Sequence, residues 1–199
     1  MESMKVAEFL SSKQVRISKR PVPEPSDDQV LIKVKYAGIC GTDLKIYDGS
    51  ITYAKTGLLQ YPMIPGHEWS GEVVQVGPKV QGYKPGDRVT GECHIGCGKC
   101  ADCLSGRYNI CKNRIRVGIV GHDGAFAEYV MIPEKALHRL PPQVSYMEAA
   151  LVEPLTIALH AMDKMEKVAG SRVLVFGLGP IGMLISQVAR AMGAGQVIG

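Results

Sequence analysis

The 199 residues are 46% hydrophobic and 21% charged, enough apolar material for one core and part of a second. Twenty-three basic against nineteen acidic side chains leave a net +4, too small and too evenly spread to make a nucleic-acid or membrane surface. Residues 1–10 lack the apolar core and cleavage site of an export signal, and no run of about 18 apolar residues occurs anywhere, so the expectation is a cytoplasmic protein. In a reducing compartment its six cysteines are metal ligands, reactive groups or buried small hydrophobes rather than disulfides.

In residues 29–36, Val30, Ile32, Val34 and Tyr36 alternate with Lys33 and Lys35, the period-two pattern of a half-buried strand. Residues 73–76, 88–90 and 126–132 read as further short strands, separated by turns such as Lys84-Pro85-Gly86-Asp87. The character changes near Ser145. Ser145 and Glu148 have the spacing of a capping box, and the apolar-rich run 147–165 predicts one helix bent at Pro154. Residues 172–176 read as a short continuous apolar strand, 177–182 as a glycine turn, 181–192 as a helix closed by Gly193, and 196–198 as the start of another strand. One helix cannot cover both faces of a parallel strand pair, so the expectation is a β-rich domain over 1–150, then an incomplete α/β domain over 151–199 in a truncated chain.

Cys97, Cys100, Cys103 and Cys111 are separated by two, two and seven residues in a loop rich in Gly, Lys and Asn. One short loop with this spacing wraps four thiolates around one ion, and a closed four-sulfur shell leaves no position for substrate, which points to structural zinc. An iron-sulfur run would place its fourth cysteine after three residues and before proline, whereas Lys112 follows Cys111 here. Four cysteines that merely pack are the remaining alternative. Cys40, in Gly38-Ile39-Cys40-Gly41-Thr42-Asp43, follows the alternating strand, and His67 and Glu68 follow in Pro65-Gly66-His67-Glu68. A thiolate, an imidazole and a carboxylate suit a zinc ion with one open position, but a core histidine and a surface glutamate have the same letters.

The motif Gly66-His67-Glu68-Trp69-Ser70-Gly71, continuing through Gly77 to Val80, resembles the signature of the zinc-containing alcohol dehydrogenases of the medium-chain family. Cys40-Gly41-Thr42-Asp43, the four-cysteine loop and Gly177-Leu178-Gly179-Pro180-Ile181-Gly182 resemble three more of its segments, in the same order. The similarity covers essentially the whole chain and is strongest to the branch containing sorbitol and threonine dehydrogenases. It implies a GroES-like catalytic domain followed by the start of a Rossmann coenzyme domain. It also implies two zinc ions per subunit, a small alcohol substrate, and a homodimer or homotetramer.

By this resemblance Cys40 and His67 bind a catalytic zinc, and Glu68 is either its third ligand or a neighbour that exchanges with water. Glu153, in Val152-Glu153-Pro154-Leu155, corresponds to a glutamate that binds the zinc directly or through water. Asp43 holds the far nitrogen of His67, and Thr42 passes the alcohol proton outward. Relatives often carry histidine where this chain has Lys45. Either the lysine relays protons, or water replaces that station, or the substrate differs, or Lys45 is simply solvated. His94 stands in a Gly-Glu-x-His-Ile segment like that of threonine dehydrogenases, which gives it a possible pocket role; for Cys93 the expectation is packing.

The glycine turn follows an apolar strand and opens a helix, as a dinucleotide fingerprint requires. Gly177 permits the turn, Gly179 lets the backbone approach a pyrophosphate, Gly182 allows close helix packing, and the amides around Pro180 and Ile181 attract phosphate. The acidic residue that would select NAD falls about 20 residues later, so NAD is implied by the branch, with NADP open. The function expected is zinc-dependent oxidation of a secondary alcohol, a polyol, sugar alcohol or threonine-like compound, to a ketone. The alternative is a non-catalytic, zinc-stabilised fragment or interaction module.

Overall fold

The computed structural model describes residues 2–199, which divide after Ala150 into two compact units. The first begins with an antiparallel hairpin, β1 (Ser3–Ser11) and β2 (Gln14–Pro21). Met4, Val6 and Glu8 alternate inward along β1, so a carboxylate occupies a position whose parity is otherwise apolar. The Ser18 hydroxyl and the Arg16 and Arg20 guanidiniums, all from β2, converge on Glu8. The Ser18 hydrogen bond lowers the Glu8 pKa most; burial opposes it, and the arginines add to the lowering.

β3 (Gln29–Gly38) leads into two short helices, α1 (Gly41–Asp48) and α2 (Thr52–Lys55). β4 (Glu68–Val76) returns antiparallel along β3, and β5 (Arg88–Gly91) pairs with β4. A small sheet follows, built from β6 (His94–Ile95), β7 (Ile115–Val117) and β8 (Gly121–His122), with α3 (Ala101–Leu104) in the excursion between β6 and β7. β9 (Tyr129–Pro133) and β10 (Leu137–Arg139) complete a five-stranded antiparallel sheet of order β10-β5-β4-β3-β9. Val30, Ile32, Trp69, Val73, Val89, Val130 and Ile132 form its core, each such aliphatic burial contributing about 1.5–3 kcal/mol.

Two expectations for these strands need correction. Tyr36 is exposed rather than inward, because the β3–β4 register slips between Val34 and Tyr36 and a bulge reverses the alternation. The strand expected over 126–132 begins only at Tyr129, since Ala125 and Phe126 spend their amides on the carbonyls of Gly66 and Pro65.

The run 147–165 is not one bent helix. α4 (Tyr146–Ala149) carries the expected capping box, with the Ser145 amide donating to Glu148 Oε2 at 2.8 Å and the Glu148 amide to Ser145 Oγ at 3.2 Å. It stops after one turn, and α5 (Val152–Met162) begins the second unit. Pro154 lies in the first turn of α5, where its missing amide forfeits no helical bond, so it marks a start and not a kink. β11 (Arg172–Leu174), α6 (Pro180–Ala191) and β12 (Gln196–Ile198) then form a right-sized strand-helix-strand unit with β11 parallel to β12. Ala158 and Met162 of α5 pack with Val173, Val188 and Ala189 in this unit's own core. No helix among the described residues is long and apolar enough to cross a membrane.

Candidate metal centres and coenzyme turn

The antiparallel register of β3 and β4 sets Gly38 opposite Glu68 at the strand ends. Cys40, just beyond β3, and His67, just before β4, are thereby brought together across a long sequence gap. One ligand atom from each of Cys40, His67 and Glu68 lies within 4.8 Å of the others. Gly38 makes room for this: a Cβ there would stand 2.5 Å from Glu68 Oε2.

Asp43, in the first turn of α1, is buried behind the cluster. Its Oδ2 accepts the Cys40 amide at 2.8 Å, it also accepts the Gly66 amide, and its Oδ1 stands 3.6 Å from His67 Nδ1. Neither Oδ1 nor Nδ1 makes a hydrogen bond, although both are buried. Burial raises Asp43 to about 6 while the Cys40 and Gly66 amides pull the other way. Burial likewise pushes the Cys40 thiol up and the His67 imidazole down. The pocket thus disfavours the Cys40 thiolate and keeps His67 neutral, and a cation between Cys40, His67 and Glu68 would supply the charge that the thiolate lacks. Thiolate, imidazole and carboxylate are a zinc-type donor set, and three of them leave a coordination position open.

The Thr42 amide and hydroxyl both hydrogen-bond to the Cys40 sulfur, which lowers its pKa against the burial. Lys45 is exposed in the last turn of α1. Cys93 is buried among Phe9, Ile46, Leu59, Met63 and Ile119.

The sulfurs of Cys97, Cys100, Cys103 and Cys111 all lie within 4.8 Å of one another, and none is in a disulfide. Cys97 and Cys103 are 3.9 Å apart and Cys100 and Cys111 3.6 Å. A tetrahedron with metal–sulfur bonds of ~2.3 Å has edges of roughly 3.8 Å, so the loop already holds the spacing of a four-thiolate zinc site. Amides of Lys99 and Cys100 turned toward Cys97 depress its pKa, as thiolate formation requires, whereas burial raises that of Cys103.

In the second unit Gly177 adopts φ +92°, and a Cβ at Gly182 would collide with the Gly177 carbonyl. Gly179 caps α6 and Pro180 opens it, leaving the first-turn amides, including that of Ile181, without helical partners. Glu153 stands in the first turn of α5.

Several supports of the site were not legible in the sequence. Asp123 Oδ1 accepts the Ile64 amide at 3.2 Å, and the backbones of Gly118 and Gly124 press against Pro65 and Gly66 so closely that neither tolerates a Cβ. A turn-forming Asp123-Gly124 pair was the one available signal, and it does not name its partner.

Residues 26–142 match the alcohol dehydrogenase GroES-like domain. The chain is 38% identical over 199 residues to a sorbitol dehydrogenase of Bacillus subtilis, covering 99% of this chain and 55% of that protein. It is 42% identical over 182 residues to an L-threonine 3-dehydrogenase of Coxiella burnetii, covering 92% and 52% respectively. A Sinorhizobium meliloti 1021 protein solved with NADP bound superimposes with TM-score 0.91 at 38% identity, over 99% of this chain and 56% of that one. The chain thus spans about half the length of the relatives it matches. With the matched domain, the relatives and the shared architecture in agreement, the chain belongs to the zinc-dependent, medium-chain alcohol dehydrogenase family.

Proposed function

We propose that this chain supplies the zinc-binding catalytic domain, over residues 1–150, and the first part of the coenzyme domain of a dehydrogenase. That enzyme oxidises a secondary alcohol to a ketone and passes hydride to NAD or NADP. The observation that carries the reading is the convergence of Cys40, His67 and Glu68 around one point, with Asp43 buried behind them. These three residues would hold a catalytic zinc; Glu153 enters only through the family resemblance. Bound there, the metal would act as a Lewis acid that lowers the pKa of a substrate hydroxyl.

The chain's own residues do the rest. Asp43 faces the His67 ring, and with Nδ1 turned toward Asp43 at 3.6 Å the Nε2 atom would be left for the metal. Its grip on the Cys40 and Gly66 amides holds both ligand-bearing segments in place. Thr42 takes the alcohol proton. Because Lys45 is exposed, it can hand that proton to solvent directly or through water. Gly177, Gly179, Pro180, Ile181 and Gly182 shape the turn whose helix amides receive the coenzyme's pyrophosphate. Cys97, Cys100, Cys103 and Cys111 hold a second, structural zinc.

The complete protein, assayed with NAD and NADP against sorbitol, butanediol and threonine, is expected to form reduced coenzyme with at least one of them. Cys40→Ser should abolish turnover and remove one zinc while the other stays. Loss of both metals together on elemental analysis would contradict two separate sites, and no reduced coenzyme with any secondary alcohol would contradict the activity.

A further inference from the structure

Among the described residues Arg116 is the only buried lysine or arginine, 9% exposed. Its guanidinium lies over the Tyr53 ring, 4.6 Å from the centroid, and its buried Nε makes no hydrogen bond. No carboxylate among the described residues reaches it within ion-pair distance. Arg16, Arg20, Arg107 and Arg139, each at least 43% exposed, all meet a carboxylate. Arg172 and Arg190 lack a carboxylate but are exposed to water, whereas Arg116 is buried and has no carboxylate either. A buried guanidinium is compensated by a ring face or an anion, and among the described residues only the ring is present.

The fold says where the missing anion would sit. Ile115 and Val117 pack into the sheet core, so strand alternation turns Arg116 to the opposite side, toward Tyr53 of α2. α2 directly follows α1, the helix capped by Cys40. Across the β6–β7 pair Arg116 faces His94, whose imidazole feels the charges of Arg116, Arg114 and His67. Two residues beyond Arg116, Gly118 lies against the backbone of Gly66, which precedes His67. Arg116 and the Cys40–His67–Glu68 cluster therefore border one region. Tyr53 covers one face of the guanidinium plane, which leaves N–H groups along its edge for two oxygens of a bidentate anion.

We propose that Arg116 is the specificity-determining residue of the substrate cleft, and that the substrate is a secondary alcohol bearing a carboxylate or phosphate group that pairs with it. This rests on the dehydrogenase reading above and narrows its substrate class from secondary alcohols in general to anionic ones.

The test uses the complete protein, its Arg116→Met and Arg116→Lys variants, and matched substrates: sorbitol against sorbitol 6-phosphate, and 2-butanol against 3-hydroxybutyrate. The wild type should prefer an anionic member, and which pair shows the preference tells phosphate from carboxylate. Arg116→Met should lower kcat/KM for that anionic member about 10- to 100-fold, mainly through KM, and change the neutral one by less than about threefold, the loss expected for one charge-assisted contact. Arg116→Lys, which keeps the charge without the fork, should recover part of the loss. Equal losses on both members of a pair, with a lowered Tm, would mean a purely structural arginine and overturn the proposal. Calorimetric titration with sorbitol 6-phosphate, 3-hydroxybutyrate and inorganic phosphate separates the two readings. If the wild type oxidises no alcohol, the dehydrogenase reading fails, yet anion binding lost in Arg116→Met still upholds the assignment of Arg116. Identical titrations in wild type and variant refute it.

Discussion

Asp43 shows how one side chain can organise a site without being a ligand. Its carboxylate binds the amides beside both Cys40 and His67 and faces the His67 ring. Asp43→Asn is expected to weaken metal affinity about 10- to 100-fold, read as zinc lost on dialysis against a weak chelator, with the four-cysteine zinc retained. Asp87, which belongs to neither ligand cluster, gives a pH prediction. Burial raises its pKa, but hydrogen bonds from the Lys84 side chain and amide and from Arg139 outweigh this and bring it to about 2. Its unfolded value is about 3.9. The folded pKa is the lower one, so the pairing contributes in full above about pH 5 and is lost as pH falls through about 2. Asp87→Asn should cost about 1–2 kcal/mol in urea melts near pH 6, allowing for the exposure of both cationic partners, and almost nothing near pH 2.

At the level of elements, the loop carrying Cys97 to Cys111 has little regular structure of its own: α3 is a single turn, and most of the loop is exposed. The structural zinc proposed for its sulfurs would supply that order, since so short a segment buries too little apolar area. Cys100→Ser is therefore expected to lower Tm and increase proteolysis within 97–111 before it affects chemistry; a soluble variant with unchanged melting would contradict the structural role. The segment holding His67 depends instead on backbone contact. A methyl at Gly124 would meet the carbonyls of Pro65 and Gly66, which cannot rotate away as a side-chain tip could. Gly124→Ala should destabilise by roughly 3 kcal/mol and displace the His67 segment, visible as lost zinc in an otherwise folded protein.

For the molecule as a whole, the two units differ in how much of their apolar surface is covered. The five-stranded sheet of the first has a dense core, while β11 and β12 in the second make a sheet of only two parallel strands. Phe176, just past β11, is 90% exposed, and Leu174 and Ile198 on the strands are also exposed. Such apolar exposure on parallel strands invites association. The 199-residue polypeptide expressed alone is expected to bind the dye ANS and to self-associate at micromolar concentration. Phe176→Ser should reduce both, measured by fluorescence and light scattering; unchanged dye binding would place the exposed surface elsewhere.

Residue spacing alone was enough to single out the four-cysteine cluster, the glycine turn and the capping box at Ser145, because each is a local device whose partners lie within a few positions of one another. The grouping of Cys40 with His67 and Glu68 stayed ambiguous in the letters and was singled out only by the resemblance, since its geometry depends on the register of β3 against β4, which no local pattern encodes. Tertiary structure alone decided that Tyr36 faces water and that the helix expected over 147–165 breaks in two. It also revealed the clamp on Glu8, the support of Gly66 by Gly118 and Gly124, and the unpaired charge of Arg116. The common reason is that burial and pairing of a charge depend on which distant strand lies alongside it. The letters Arg-Val around Arg116 read the same in water as beneath a tyrosine ring.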